Sequence, residues 1–346
     1  MAQGLILAID AMGGDQAPDV TVAGAELFLA ARPDASVRLH GDEAQLKPLL
    51  SKPSERIEIV HTDLHVTSDM KPSQALRRGK GSSMWNAIHD VKDGHASAAV
   101  SAGNTGALMA MAKICLRTVA SVDRPAIAAL WPTVRRETVV LDVGANVGAD
   151  ATQLVDNAVM GAAMARALFS KQHPVIGLLN VGVEEIKGLD EIKKAAAILR
   201  ACKLPFEHHG FVEGDDLGQG LVDVVVTEGF SGNIALKTAE GTAKQIGTYL
   251  RGAMGRTILT RIGAAIASGG FKALKLKMDP RGLNGGVFLG LNGLVIKSHG
   301  GTDGKGFASA IDLGYDMASN NLVKHLASDI ERFHKSLYNE HKQNEN

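Results

Sequence analysis

Short apolar runs punctuate this chain: Leu5–Ile9, Ala98–Ser101, Ile127–Trp131, Val139–Asp142, Val175–Asn180 and Val222–Thr227. None alternates apolar with polar residues. A strand with one face in water alternates, so unbroken runs of Val, Ile, Leu and Ala predict strands buried on both faces, as in a parallel sheet covered by helices. Between them lie stretches of helical character, among them Ala107–Leu116, Leu154–Phe169 and Asp190–Ala201. This βαβα rhythm predicts an α/β protein with a three-layer α/β/α architecture and a mostly parallel central sheet. No internal repeat, low-complexity linker or break in composition divides the chain. Residues 1–338 therefore read as a single unit, with a polar tail over 339–346 expected to fray.

Strand after predicted strand ends in a small polar loop. These are Asp10-Ala-Met-Gly-Gly-Asp15, Ser101-Ala-Gly-Asn-Thr-Gly106, Asp142-Val-Gly-Ala-Asn146, Asn180-Val-Gly182, Thr227-Glu-Gly-Phe-Ser-Gly-Asn233 and Lys297-Ser-His-Gly-Gly301. Open α/β sheets bind ligands outside the carboxyl ends of their strands, so the six loops are expected to converge on one crevice. Glycine lets backbone approach a ligand, and the helix N-termini that follow aim N–H groups at an anion. A phosphate-binding crevice is the expectation. Its candidate contacts are Asp10, Gly13, Gly14, Ser101, Asn104, Thr105, Asn146, Asn180, Ser231, Gly232 and Lys297. Lys187 and His299 lie within a few residues of strand ends and join the candidates, the histidine as general base, anion donor or strand cap.

Composition narrows the chemistry. The 346 residues hold 37 Lys plus Arg against 37 Asp plus Glu, which removes the basic field that non-specific nucleic-acid binding needs. The two cysteines, Cys115 and Cys202, lack CxxC spacing, so neither a disulfide framework nor a metal site is expected, and a reducing cytosol is the natural compartment. His61 and His65 have i, i+4 spacing but sit in a strand-like stretch, where it does not put both on one helix face. Neither a GxGxxG nor a GxxxxGK[ST] pattern occurs, which argues against nicotinamide chemistry and ATP hydrolysis. Ser231 lacks a GxSxG frame, leaving direct attack by one bound substrate on another. The first residues carry no secretory-leader pattern, and no apolar run approaches the roughly 18 residues of a spanning helix.

One segment departs from the neutral balance. From Arg251 to Met278 there are Arg251, Arg256, Arg261, Lys272, Lys275 and Lys277 and no acidic residue. Ile258, Ile262, Ala265 and Ile266 share a helical face, and Phe271, Leu274 and Leu276 follow the Gly269-Gly270 break. A basic amphipathic hairpin over 251–278 predicts a membrane-surface anchor or a dock for an acidic partner. The expected membrane contacts are Arg256, Ile258, Arg261, Ile262, Ile266, Phe271, Lys272, Leu274 and Lys275.

Taken together, the motifs resemble those of the bacterial phosphate acyltransferases of phospholipid synthesis, the acyl-carrier-protein:phosphate transacylases. The resemblance spans nearly the whole chain. It rests on Ala8–Asp15, Ser101–Leu108, Asp123-Arg-Pro-Ala126, Leu141–Asn146, Gly177–Gly182, Val224–Asn233 and Val295–Gly300. It implies a fold related to isopropylmalate dehydrogenases, a homodimer with its active cleft near the interface, and no cofactor. It implies acyl carrier protein and inorganic phosphate as substrates, and a membrane glycerol-3-phosphate acyltransferase that receives the acyl phosphate. It also implies a cytoplasmic enzyme held peripherally on the anionic inner face of the cell membrane. By the same resemblance the lysine after the Asn-Val-Gly loop is Lys187, and the asparagine of the Gly-Phe-Ser-Gly-Asn motif is Asn233, both important for activity. Family members often carry aspartate where this chain has Gly148, which leaves the role of the nearby Asp150 open. A phosphotransacetylase acting on acyl-coenzyme A, an oxidoreductase of the same fold and a non-catalytic membrane scaffold are the competing readings.

Overall fold

A computed structural model describes residues 4–202, 205–277 and 284–344, of which 275–277 and 337–344 are described in backbone only. The strands are β1 (Ile6–Asp10), β2 (Ser36–Gly41), β3 (Ile57–His61), β4 (Ala98–Ser101), β5 (Ala126–Pro132), β6 (Glu137–Leu141), β7 (Val175–Leu179), β8 (Glu207–Val212), β9 (Val224–Val226), β10 (Gly286–Leu289) and β11 (Leu294–Lys297). The helices are α1 (Asp19–Ala31), α2 (Glu43–Leu46), α3 (Pro72–Arg78), α4 (Ser83–Lys92), α5 (Thr105–Leu116), α6 (Ala151–Phe169), α7 (Asp190–Ala201), α8 (Gly229–Gly255), α9 (Ile258–Ile266), α10 (Ser268–Lys277), α11 (Gly304–Ser319) and α12 (Leu322–Asn344). Every apolar run singled out above forms a strand. Helix α12 carries on to Asn344, into the segment expected to fray from 339.

All described strands form one sheet, in the order β3-β2-β1-β4-β11-β10-β5-β6-β9-β7-β8. Helices α1, α6, α7, α11 and α12 pack on one face, and α3, α4, α5 and the first turns of α8 on the other, giving two apolar cores and three layers. The strands are buried on both faces because both cores need them: Leu7 and Ile9 of β1 enter one, Ala8 the other.

The sheet is mostly parallel, but its pairings β11–β10, β10–β5 and β5–β6 are antiparallel. That reversal splits the six loops. Those after β1, β4 and β11 leave one edge of the sheet, and those after β6, β9 and β7 leave the opposite edge. The six loops therefore do not all leave the same edge of the sheet, as they would in a purely parallel one.

The register nevertheless keeps the two groups near each other. Asp10, Ser101 and Lys297 stand in one row that continues through Gly286 and Ala129 to Val140. Asp142 follows β6 two residues from that row, about 7 Å along the strand direction. Alternation along each strand turns Asp10, Ser101, Lys297 and Asp142 toward the face covered by α5 and α8.

Candidate active site

At the first edge, the loops after β1, β4 and β11 pack on one another. Ser101 Oγ donates to Asp10 Oδ2 at 2.6 Å and accepts the Gly103 N–H. A Cβ on Gly13 would lie 2.4 Å from Asp10 and 2.9 Å from the Gly103 nitrogen, so only glycine permits this approach. Gly14, at φ +112°, abuts Ala102 and the Gly300 carbonyl. Asp10 is 1% exposed with Oδ1 unpartnered, and burial raises its pKa against the lowering effect of Ser101.

Lys297 lies next in the row. Its Nζ donates to the backbone carbonyls of Ala102 and Ser298, and burial pushes its pKa down to about 8 while Asp10 and Asp15 pull it up. His299 accepts the Gly301 N–H at Nδ1. In the neutral ring the proton then sits on Nε2, which faces outward as a donor. Burial and the neighbouring Lys237 hold the His299 pKa below its ordinary value. Of the roles open to His299, the geometry favours donor to an anion.

At the opposite edge the central residue is Asp142, whose loop the sequence singled out without giving the aspartate a role. Its carboxylate accepts the N–H groups of Ile127, Gly144, Ala145 and Asn146 and the Asn146 side-chain amide. Asn146 also donates to Pro125 O, tying the loop to the Asp123–Ala126 motif. Asn233 donates to Val143 O at 3.2 Å. Gly232 is buried against this loop, where a Cβ would lie 1.9 Å from Asp142 O. Buried Asn180 donates to the carbonyls of Gly182 and Lys187 and so shapes the loop that presents Lys187. The Lys187 ammonium is exposed and pairs with Glu184 at 2.8 Å, which raises its pKa. Val147, Val181, Val183, Ile186, Leu189 and Phe230 form an exposed apolar rim to these loops.

The helix N-termini do not wait open for a ligand. Asn104 Oδ1 caps α5 at the Ala107 N–H, and its amide donates to Ser68 O and Met70 O. Thr105, the next residue, is exposed on the first turn. Asp150 caps α6 in a reciprocal box with Gln153. Glu228 caps α8 by accepting the N–H groups of Phe230, Ser231 and, from across the cleft, Gly148. Those three bonds outweigh partial burial and lower its pKa. Ser231 itself is exposed.

Helix α8 links the two loop groups. Asn233 touches the Asp142 loop, and Lys237 lies one turn further along the same face, about 6 Å away along the axis. From there Lys237 acts electrostatically on both Lys297 and His299, and Lys244 acts on His299. The sequence reading did not single out Lys237. Its i, i+4 relation to Asn233 was the available signal.

Of the segment 251–278, residues 251–255 belong to α8, and α9 and α10 follow. Ile258, Leu259, Ile262, Ile266 and Leu274 are exposed on it, as are Arg256, Arg261 and Lys272, while Phe271 is half-buried. The Lys275 side chain and Met278 lie outside the described residues. No described helix is long and apolar enough to cross a membrane.

The fold is shared with solved structures of low sequence identity. It superposes on a phosphotransacetylase from Streptococcus pyogenes with a TM-score of 0.63 at 16% identity, covering 92% of this chain and 95% of that one. A 4-hydroxythreonine-4-phosphate dehydrogenase from Klebsiella pneumoniae follows at TM-score 0.55 and 16% identity, covering 91% and 99%. Sequence is more specific. Residues 5–325 match the family model described as "Fatty acid synthesis protein". A phosphate acyltransferase of Xanthobacter autotrophicus is 61% identical over 94% of this chain and 92% of its own length, and one of Afipia carboxidovorans is 57% identical over 97% of both. The chain belongs to the phosphate acyltransferase family, and is thus an acyltransferase of lipid biosynthesis.

Proposed function

We propose that the enzyme transfers a fatty acyl group from the thioester of acyl carrier protein to inorganic phosphate. A phosphate oxygen attacks the thioester carbonyl and forms the C–O bond of the acyl phosphate. The C–S bond then breaks, and the thiolate leaves with the electron pair and takes up the proton released by hydrogen phosphate. Lys187 and Asn233 offer an ammonium and an amide to the negative charge that develops as the tetrahedral centre forms. His299 Nε2–H and the glycine-loop amides add further donors, and no cofactor takes part.

One observation carries the direct-attack reading: the two loop groups present cations and amides and no activated nucleophile. Cys115 is buried with its thiol pushed up to about 11. Ser101 gives its hydroxyl proton to Asp10 and is not held by a histidine. The finer reading extends to the setting. The exposed basic hairpin lays Ile258, Ile262 and Ile266 on an anionic membrane surface, the enzyme works as a homodimer, and its acyl phosphate passes to a membrane glycerol-3-phosphate acyltransferase.

The test is incubation with palmitoyl-acyl carrier protein, with and without phosphate, following free carrier thiol and hydroxylamine-trapped acyl phosphate. Both should appear only when phosphate is present. Thiol release without phosphate would make the protein a thioesterase, and activity confined to coenzyme A thioesters would make it a phosphotransacetylase. Lys187→Ala should slow the wild-type reaction by about tenfold or more. Near-wild-type turnover would remove Lys187 from the site.

A further inference from the structure

We propose that Lys237 of α8 and Lys297 of β11, with the outward Nε2–H of His299, form the seat of the attacking phosphate. The inference rests on the acyl-to-phosphate reading and gives that reaction a place in the molecule.

Two elements far apart in sequence bring their cations together here. Lys297 ends the row Asp10–Ser101–Lys297 and points to the face that α8 covers. Ala235, Leu236 and Ala239 pack α8 onto that same face and fix its height above the sheet. Lys237, between them, is half-exposed at 52% and has Glu240 as its partner at 2.8 Å. Lys297 Nζ instead donates to the backbone carbonyls of Ala102 and Ser298, and the Asp10 and Asp15 carboxylates act on it through space.

Like charges gathered in a partly dry place repel one another, and the local electrostatics record that repulsion. Lys237 depresses both Lys297 and His299, and Lys297 depresses His299 in turn. Asp10, Asp15 and Glu240 oppose this from β1, the loop after it and α8. A dianion between the two ammonium groups would turn each of these repulsions into an attraction. Hydrogen phosphate has the charge and the acceptor oxygens for two lysines and one imidazole N–H. The seat also suits the chemistry, because Asn233 stands one turn from Lys237 on the side where the thioester carbonyl would be polarised.

The experiment compares the full-length enzyme with its Lys237→Met, Lys237→Arg and Lys297→Met variants, measuring KM for phosphate and for acyl carrier protein separately. Phosphate binding is followed independently by broadening of the inorganic phosphate 31P resonance. Each methionine variant should raise the phosphate KM by about ten- to a hundredfold, leave the thioester KM in place and abolish the broadening. Lys237→Arg, which keeps the charge, should recover most of the affinity. An unchanged phosphate KM, or a rise confined to the thioester KM, would overturn the seat while leaving the acyl transfer standing. Lysine-dependent broadening in a wild-type protein that forms no acyl phosphate would do the reverse.

Discussion

The two ends of the cleft each carry a lysine beside a glycine-rich loop, Lys297 as the last residue of β11 and Lys187 in the loop after β7, and the structure treats them oppositely. Lys297 is enclosed by loops packed backbone to backbone, and burial lowers its pKa to about 8. Lys187 stands in water, paired with Glu184, and its pKa is raised. The first end holds Asp10, a carboxylate with an unpartnered oxygen, and the other end holds Asp142, a carboxylate that accepts five hydrogen bonds. The contrast shows that loop composition does not set a lysine's chemistry. Packing density around the ammonium does, by deciding how much water solvates it.

Mutations can break or sharpen this contrast. The largest effect is expected at Asn233, where the two ends meet: Asn233→Ala should lower kcat by roughly 100- to 1000-fold with little change in stability, as loss of one oxyanion donor does elsewhere. Asp142→Ala, which strips five donors of their acceptor, should lower unfolding free energy by on the order of 3 kcal/mol in urea titrations. The corresponding loss for Asp10→Asn should be smaller, because Asp10 has fewer partners and one oxygen already unpaired. Equal losses would erase the distinction between the two carboxylates.

A third effect concerns pH. Lys297 carries its charge below about pH 8 and loses it above, so the phosphate KM of the wild-type enzyme should climb as pH rises past 8. Lys297→Arg, which stays charged throughout, should flatten that climb, whereas Lys187→Arg should not. The smallest effect belongs to the arm outside both ends. Ile262→Glu should leave transfer in solution unchanged and reduce co-sedimentation with anionic vesicles by about tenfold. Unchanged co-sedimentation would mean that the hairpin does not enter the lipid surface.

The buried strands were legible because both of their faces are dry, which writes β1, β4, β5, β6, β7 and β9 into the chain as continuous apolar runs. Edge strand β3 showed as the strand-like stretch around His61 but not as an apolar run, since Glu58 and His61 face water, and in β8 Glu207 and His209 likewise interrupt the run. Of the three antiparallel pairings, β5–β6 and β10–β11 join strands only four residues apart, a hairpin spacing the sequence reading did not use, whereas β10–β5 links segments more than 150 residues apart. That is why the polar loops were found but sent to one edge. Lys237 stayed hidden because a lysine on a long helix reads as solvated until the strand it covers is known.

The central position of β11 has a consequence for how the enzyme is made. This strand lies between β4 and β10, and β10 in turn pairs with β5, so residues 286–297 close a gap between two segments synthesised long before them. A nascent chain halted before Leu294 holds β4 with one side unpaired, a template for association with another chain. Such a chain also lacks Lys297 and His299, and so would display an open sheet while having no competent cleft. Completion of the sheet and arrival of these site residues are therefore one event, set by the ribosome's progress past Gly301.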